Sequence, residues 1–357
     1  MHQLFLPLAL PKRPPLPEGA QLLAADVGGT KTALALFEML DGVLSIVKES
    51  VYPSKQFGSL AEVIRYFNGT ASLPARMSIA FAGPVQNGKA TATNLDWSID
   101  ITVLSKELGI REVFLLNDLE AYAYGLAAMT QRDLITVYPG RIKFGADAES
   151  RPGFSGGNVG IIAPGTGLGE GGLFWDGSVL HPFATEGGHA GFTPRNEFDC
   201  ELLFFLQKKY GRVSWERVVS GPGIHQIYNF LRDVKNREEP AGVREKMKNH
   251  DPAAAISSSA REGCSICTET LRLFTQYLAV EASNLALKLK ATGGIFIGGG
   301  ILPKIWNDDL RAVFLEHFFE VGRLHSLIET VPVHLVLNAK TALLGAAWYG
   351  CGQNLDS

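Results

Sequence analysis

One short pattern occurs twice in this chain and decides most of what it can become. Leu22-Leu23-Ala24-Ala25 runs into Asp26-Val27-Gly28-Gly29-Thr30, resumes as Thr32-Ala33-Leu34-Ala35-Leu36-Phe37, and turns at Asp41-Gly42. About 137 residues later Val159-Gly160-Ile161-Ile162-Ala163 runs into Gly165-Thr166-Gly167-Leu168-Gly169, resumes as Gly171-Gly172-Leu173-Phe174-Trp175, and turns at Asp176-Gly177. Apolar runs this short, punctuated by Gly and Asp-Gly, favour consecutive antiparallel strands over helices. The repeated order of strand, Gly turn, strand and hairpin suggests two related α/β lobes facing one another.

Around the two copies the pattern fills in. Leu60 to Phe67 reads as a helix, Met77 to Ala82 as a buried strand ending at Gly83-Pro84, and Val113 to Leu116 as a strand ending at Asn117-Asp118. A strand that stops at polar residues delivers them to a sheet edge. Asp133 to Asn158 is rich in Gly, Arg and Ser and reads as a surface loop or hairpin connecting the lobes. Cys267, Leu271, Phe274, Leu278, Ala282, Leu285 and Leu289 recur at spacings of three and four, one apolar stripe on a helix of six or more turns. Behind it Ile295-Phe296-Ile297 runs into Gly298-Gly299-Gly300, and Thr341 to Trp348 reads as a tightly packing small-residue helix. The expected division is an arm over 1–20, a small lobe of 21–128 plus 338–357, and a large lobe of 129–337.

Composition bears on the partner. Lys+Arg 33 against Asp+Glu 36 leaves a net charge of −3, with no basic field to hold nucleic acid or an anionic membrane. A small molecule or another protein is the expected partner. Cys200, Cys264, Cys267 and Cys351 are too few and too irregular for a disulfide framework in 357 residues, which points to a reducing cytosol. Leu4 to Leu10 is briefly apolar, but no Lys or Arg precedes it and Pro7, Pro11, Pro14, Pro15 and Pro17 interrupt or follow it, so it reads as an extended arm rather than a signal peptide. No run approaches the roughly 20 apolar residues that span a bilayer.

Three Gly-rich turns follow predicted strands: Gly28-Gly29-Thr30, Gly165-Thr166-Gly167 and Gly298-Gly299-Gly300. Such turns let backbone N–H groups converge on an anion with no side chain in the way, and an adjacent Thr adds a hydroxyl. Each alone reads more often as a plain tight turn; three together point to a nucleotide. Neither the dinucleotide fingerprint nor the Walker loop is present, because the third Gly spacing is wrong and Lys31 follows Thr30 rather than Gly. The phosphates would sit on β-hairpin turns from two lobes.

Asp26-Val27-Gly28-Gly29-Thr30-Lys31, Leu116-Asn117-Asp118, Gly165-Thr166-Gly167-Leu168-Gly169, Glu186-Gly187-Gly188-His189, Glu216 to Gly223 and Gly298-Gly299-Gly300-Ile301 follow one another in an order and spacing that resembles the bacterial-type glucokinase family. The resemblance runs from about Leu22 to the terminal helix. It implies a two-lobed actin-like (ribonuclease H-like) ATPase fold with a central cleft, shared with sugar kinases, actin and Hsp70-type chaperones. It implies an enzyme that moves the γ-phosphoryl group of ATP to the 6-hydroxyl of glucose, giving glucose 6-phosphate, with Mg²⁺ as cofactor and a homodimer as the assembly.

By that resemblance Asp118 is the general base. Transfer to a sugar hydroxyl calls for a carboxylate within reach of that hydroxyl, and with a loose transition state the proton leaves late, so an ordinary carboxylate suffices. Asn117, Asp118, Glu186, His189 and Glu216 are implied sugar ligands. Asp26, Gly28, Gly29, Thr30, Lys31, Gly165, Thr166, Gly167, Gly299 and Gly300 are implied to hold ATP, Asp26 also holding Mg²⁺ through water. Other readings stand beside these: Asn117-Asp118 as a helix cap, Glu216 as a helix-surface charge, His189 as a satisfied polar histidine, Asp26 as a turn residue. The related ROK sugar kinases carry a Cys-rich zinc site after this Glu-Gly-His motif, and Ala190 to Asn196 lacks it, so no structural zinc is expected. Rival functions are a kinase for mannose or fructose, a non-catalytic sugar sensor, and an actin-like ATPase.

Overall fold

The computed structural model describes residues 6–91, 96–141, 154 and 156–352. Contacts divide the chain into two units, one of Met1–Arg132, Leu173–Ala184 and Asn338–Ser357, the other of Asp133–Gly172 and Thr185–Leu337. The strands are, in chain order, β1 (Gln21–Val27), β2 (Lys31–Leu40), β3 (Val43–Pro53), β4 (Arg76–Phe81), β5 (Val85–Gln86), β6 (Lys89–Thr91), β7 (Ser98–Asp100), β8 (Glu112–Asn117), β9 (Leu134–Tyr138), β10 (Val159–Pro164), β11 (Leu168–Trp175), β12 (Leu180–Thr185), β13 (Gly294–Ile297) and β14 (Val333–Val336).

In the first unit the sheet order is β3-β2-β1-β4-β8. The opening pattern forms an antiparallel meander, with β1 pairing β2 and β2 pairing β3. Asp41 and Gly42 both take positive φ, 51° and 72°, the pair of left-handed residues that a two-residue hairpin demands. β1, β4 and β8 then run parallel, so they end on the same side, with Val27 beside Phe81 and Phe81 beside Asn117. Every residue of β4 is buried, which is why Met77, Ile79, Ala80 and Phe81 show no polar alternation, while the buried Arg76 is paired with Glu112. The helix Leu60–Asn68, capped by Ser59, buries Leu60, Val63, Ile64 and Phe67 against the β1 and β4 side chains.

The small-residue helix is Thr341–Cys351, and it packs on the helix Asp118–Leu126. Contact is backbone to backbone: a Cβ at Gly345 would overlap the carbonyl oxygen of Ala121, and one at Gly125 that of Thr341. The N-terminal arm is extended but not detached. Leu6, Leu8 and Leu16 are buried, the Ala9 N–H donates to the Leu180 carbonyl (2.9 Å) and the Leu180 N–H to that of Pro7 (2.7 Å). The Arg13 guanidinium lies 3.7 Å from the Phe114 ring centroid and 4.5 Å from that of Tyr349, joining the arm to β8 and the terminal helix. Residues 1–5, including Leu4 and Phe5 of the apolar run, lie outside the described residues.

The other large sheet has the order β12-β11-β10-β13-β14-β9, of which β10, β13, β14 and β9 belong wholly to the second unit. β10, β13 and β14 are parallel, with Ile162 beside Ile297. The predicted long helix is Ser265–Leu289, and its apolar stripe sits in a core with Trp215, Ile224, Tyr228, Phe230 and Phe314. One expectation fails here. The stretch 133–158, read as a surface loop or hairpin, begins with β9, which pairs antiparallel with β14. Gly, Arg and Ser dominate the rest of that stretch and hid five strand residues; positions 142–153 and 155 lie outside the described residues. Among the described residues no helix is long and apolar enough to cross a membrane.

Replacing Gly345 by Ala sets the helix preference of Ala against the overlap with Ala121. Overlap wins, at a cost of about 2 kcal/mol, and thermal unfolding moves down by about 5 °C. Gly242→Ala, with open space around its Cα, leaves Tm unchanged or slightly raised. Equal shifts in the two variants would refute the close-packing account.

Candidate active site

In the first unit the predicted residues gather at the C-terminal ends of parallel strands, where ligands of open α/β sheets are held. The β1–β2 turn is braced by Ser54, a residue that no motif singled out. Its Oγ donates to the Gly28 carbonyl (2.7 Å), its N–H donates to the Thr30 carbonyl (3.0 Å), and the Gly28 N–H donates to Lys31 O (2.9 Å). Thr30 and Lys31 remain exposed at the tip, and Gly29 is partly exposed beside them. Asp26 stands one residue before the end of β1, flanked by Ala33 of β2 and Ala80 of β4. These small neighbours offer no polar side chain, and burial pushes the Asp26 carboxyl up to about 6.

β8 ends at Asn117, which performs the capping role and more. Its Oδ1 accepts the N–H groups of Leu119 (2.9 Å) and Glu120 (3.4 Å), and its Nδ2 donates to the Gly83 carbonyl at the end of β4 (3.1 Å). The side chain thus ties two strand ends to the start of the helix Asp118–Leu126. Asp118 is the first residue of that helix and half-buried, its Oδ1 accepting the Leu119 N–H at 3.0 Å. In this unit Asp26, Gly28 to Lys31, Asn117 and Asp118 therefore lie along one sheet edge.

The second unit assembles the rest. In the β10–β11 turn the Gly165 N–H donates to Gly167 O (2.8 Å), and the Gly221 N–H donates to Gly165 O (2.9 Å). Glu216 is no simple surface charge: it is half-buried, and its Oε2 accepts the Leu168 N–H at 3.1 Å. A Cβ on Gly167 would lie 2.5 Å from that oxygen, so the close approach requires Gly. Ser220, which caps the helix Gly221–Asp233, donates its Oγ to the Glu216 carbonyl (2.7 Å). Thr166 is exposed at the tip. Where β13 ends, Gly299 has φ +79° and a Cβ there would overlap the Pro164 carbonyl, which brings the third Gly turn against the second; Gly300 beside it is exposed.

Glu186 and His189 flank the 3-10 turn Gly187–His189, and both are exposed. The His189 N–H donates to Glu186 O (3.0 Å), while the Trp215 N–H donates to Ala190 O (2.9 Å), linking this turn to the segment bearing Glu216. Arg212 donates to the His189 carbonyl (3.2 Å). Glu186, His189, Glu216 and the Gly165–Gly167 turn are therefore neighbours within this unit. Motif reading missed Ser54, because a lone Ser carries no distinctive spacing, whereas Ser220 lay within the Glu216 to Gly223 motif.

The glucokinase family profile matches residues 23–352. The glucokinase of Nostoc punctiforme is 41% identical over 346 residues, covering 91% of this chain and 97% of that protein. Among solved structures, a glucokinase from an Antarctic psychrotroph superposes with a TM-score of 0.74 at 30% identity, covering 92% of this chain and 98% of that one. A ROK family glucokinase from Streptomyces griseus, solved in complex with glucose and AMPPNP, gives 0.61 at 20% identity over 92% and 98%. The fold is the actin-like ATPase fold of the glucokinases and ROK sugar kinases.

Asp26 carries a testable signature. Its folded-state value lies above the unfolded one, so its stabilising contribution is complete below about pH 4 and is lost as pH rises through about 6. Asp26→Asn should therefore unfold at a higher temperature than the parent at pH 8 and at the same temperature near pH 4, while losing activity. A temperature difference independent of pH would show that Asp26 is not held ionised at a cost.

Proposed function

The chain belongs to the glucokinase family and is a sugar kinase, and on that premise we propose that Asp118 is the general base that takes the proton of the glucose 6-hydroxyl as the γ-phosphoryl group of ATP is transferred to it. The observation that carries this reading is the common end of β1, β4 and β8, which sets Asp26, the Gly28–Thr30 turn and Asn117-Asp118 on one edge of one sheet. The three hydrogen bonds of Asn117 fix the position of Asp118, and fixed position is what a general base needs.

Each remaining residue takes a role its chemistry allows. Glu186, His189 and Glu216 together with Asn117 offer acceptors and donors to vicinal hydroxyls, so a sugar with a missing or inverted hydroxyl leaves a partner unpaired. Asn117 has one amide hydrogen beyond the one given to Gly83, which suits it to a sugar oxygen. The carboxylate of Glu216 also accepts the Leu168 N–H, so the group that holds sugar steadies the phosphate turn as well. Gly28, Gly29, Thr30, Lys31, Gly165, Thr166 and Gly167 supply N–H, hydroxyl and ammonium donors for the phosphates of ATP, with Gly299 and Gly300 against the nucleoside. Support for ATP as donor comes from the Streptomyces griseus relative bound to AMPPNP and glucose.

Mg²⁺ fits the residues present. Asp26 is a carboxylate whose burial is uncompensated by any nearby cationic side chain, the condition that a divalent ion relieves. When bound, the ion neutralises charge building on the phosphate oxygens. Binding the sugar also displaces water that would otherwise compete as acceptor.

An ADP-release assay across glucose, mannose and fructose tests the assignment. Glucose should give the highest kcat/KM, and Asp118→Asn should lower kcat by at least about 10²-fold with Tm and glucose binding retained. Near-parent turnover in that variant would remove Asp118 from its role.

A further inference from the structure

Beneath the Glu186–His189 turn lies a pair of carboxyl groups that the reaction does not use. Glu170 on β11 is 2% exposed and Glu281 on the helix Ser265–Leu289 is 0% exposed. Two carboxylates cannot both be ionised side by side in an apolar interior, and the surroundings show which one keeps a proton. Glu281 accepts from Asn284 Nδ2 (2.8 Å) and from Lys288 Nζ (3.0 Å), the partners of an anion. Glu170 Oε1 is buried with no donor of its own, and burial and the facing Glu281 charge push the Glu170 carboxyl up, so Glu170 is the one that keeps a proton, which it can offer to Glu281. The charged groups facing Glu170 are Glu281 and Lys288, both on that helix. With one proton shared, the trio is neutral.

The other side of Glu170 is the sugar turn. A Cβ at Gly187 would overlap Glu170 Oε2, so the turn rests directly on the carboxyl and position 187 must be Gly. The Glu170 backbone holds the turn too: its carbonyl accepts from Thr185 Oγ1 (2.8 Å), and Thr185 Oγ1 accepts the Gly187 N–H (3.1 Å). The turn therefore rests on the Glu170 side chain at Gly187 and on the Leu168 backbone at Gly188, and the Glu170 carboxyl that supports it faces Glu281.

We propose that Glu170, buried beside Glu281 and in contact with Gly187, is a positioning residue that sets the Glu186–His189 turn for the sugar. This rests on the reading of Glu186 and His189 as sugar ligands. Burial and the charge of Glu281 push the Glu170 carboxyl up to about 8. Above that pH two buried carboxylates face one ammonium, and their repulsion drives Glu170 against Gly187 and displaces the turn. Sugar affinity is then lost while the nucleotide turn at Gly165–Gly167, held by Glu216 and Gly221, keeps its geometry.

The test is the pH profile of kcat/KM for glucose, measured on the full chain from pH 6 to 10 with the KM for ATP alongside. The parent should lose kcat/KM for glucose above about pH 8 through a rise in glucose KM. Glu170→Gln, an isostere that still donates to Glu281, should match the parent near pH 7 and lack the alkaline fall. Glu281→Gln removes the facing charge, leaves a single carboxyl beside Lys288, and should abolish the alkaline fall as well. Glu170→Ala should raise glucose KM about tenfold or more at pH 7 with ATP KM within about twofold. If Glu170→Ala does not fold, the Glu170→Gln profile decides. An unchanged alkaline fall in Glu170→Gln, or equal rises in both KM values in Glu170→Ala, overturns the proposal. Glu186→Gln separates the two levels: if it leaves glucose KM unaltered, the sugar-ligand reading itself fails; if it raises glucose KM while the Glu170 variants behave as the parent, only the positioning role fails.

Discussion

Main chain packed directly against main chain is the constraint on which the rest depends. Gly345 lies on the Ala121 carbonyl, Gly299 on that of Pro164, and Gly188 on that of Leu168, each at a separation that excludes a Cβ. The stripped backbone serves two ends. It brings helices and strand ends close enough to set positions firmly, and it leaves N–H groups clear of side chains where anionic oxygens are to be received. A helix of small residues such as Thr341–Cys351 buries modest apolar area per residue, and close approach compensates through dense contact.

Charge is placed inside this frame at a cost, and the cost is distributed unequally. Asp26 sits among small apolar neighbours, where its ionised form is disfavoured. Glu281 has an ammonium and an amide, and Glu170 keeps its proton instead. The cost of burying the carboxylates is met by different means, a salt bridge at Glu281 and a retained proton at Glu170, with a bound ion as the proposed means at Asp26. All three groups lie close to residues assigned to phosphate or sugar, where a disfavoured charge state can be coupled to ligand binding.

Asn117 shows how structural and chemical roles coincide in one side chain. Read as a helix cap it is correct, since its Oδ1 accepts two N–H groups of the following helix. Read as a site residue it is the means by which Asp118 is held, because the cap is also tied to the end of β4. Glu216 combines roles in the same way, bracing the turn that faces phosphate with a carboxylate assigned to sugar.

Local pattern was enough for β1, β2, β4, β8, β10, β11 and β13, for both Asp-Gly hairpins, for the stripe on Ser265–Leu289 and for the order of the Gly turns, because each is written in the spacing of neighbouring residues. The ordered motifs likewise carried the family, since their spacing reflects the loops that join strand ends. Tertiary structure alone decided that a Gly- and Arg-rich stretch begins with β9, that the Pro-rich arm is pinned at Leu180 and Arg13, that Ser54 braces a turn, and that Glu170 meets Glu281. Strand pairing, burial of a carboxyl and the partner that shares its proton are properties of groups remote in the chain, and no periodicity along the backbone encodes which of them will meet.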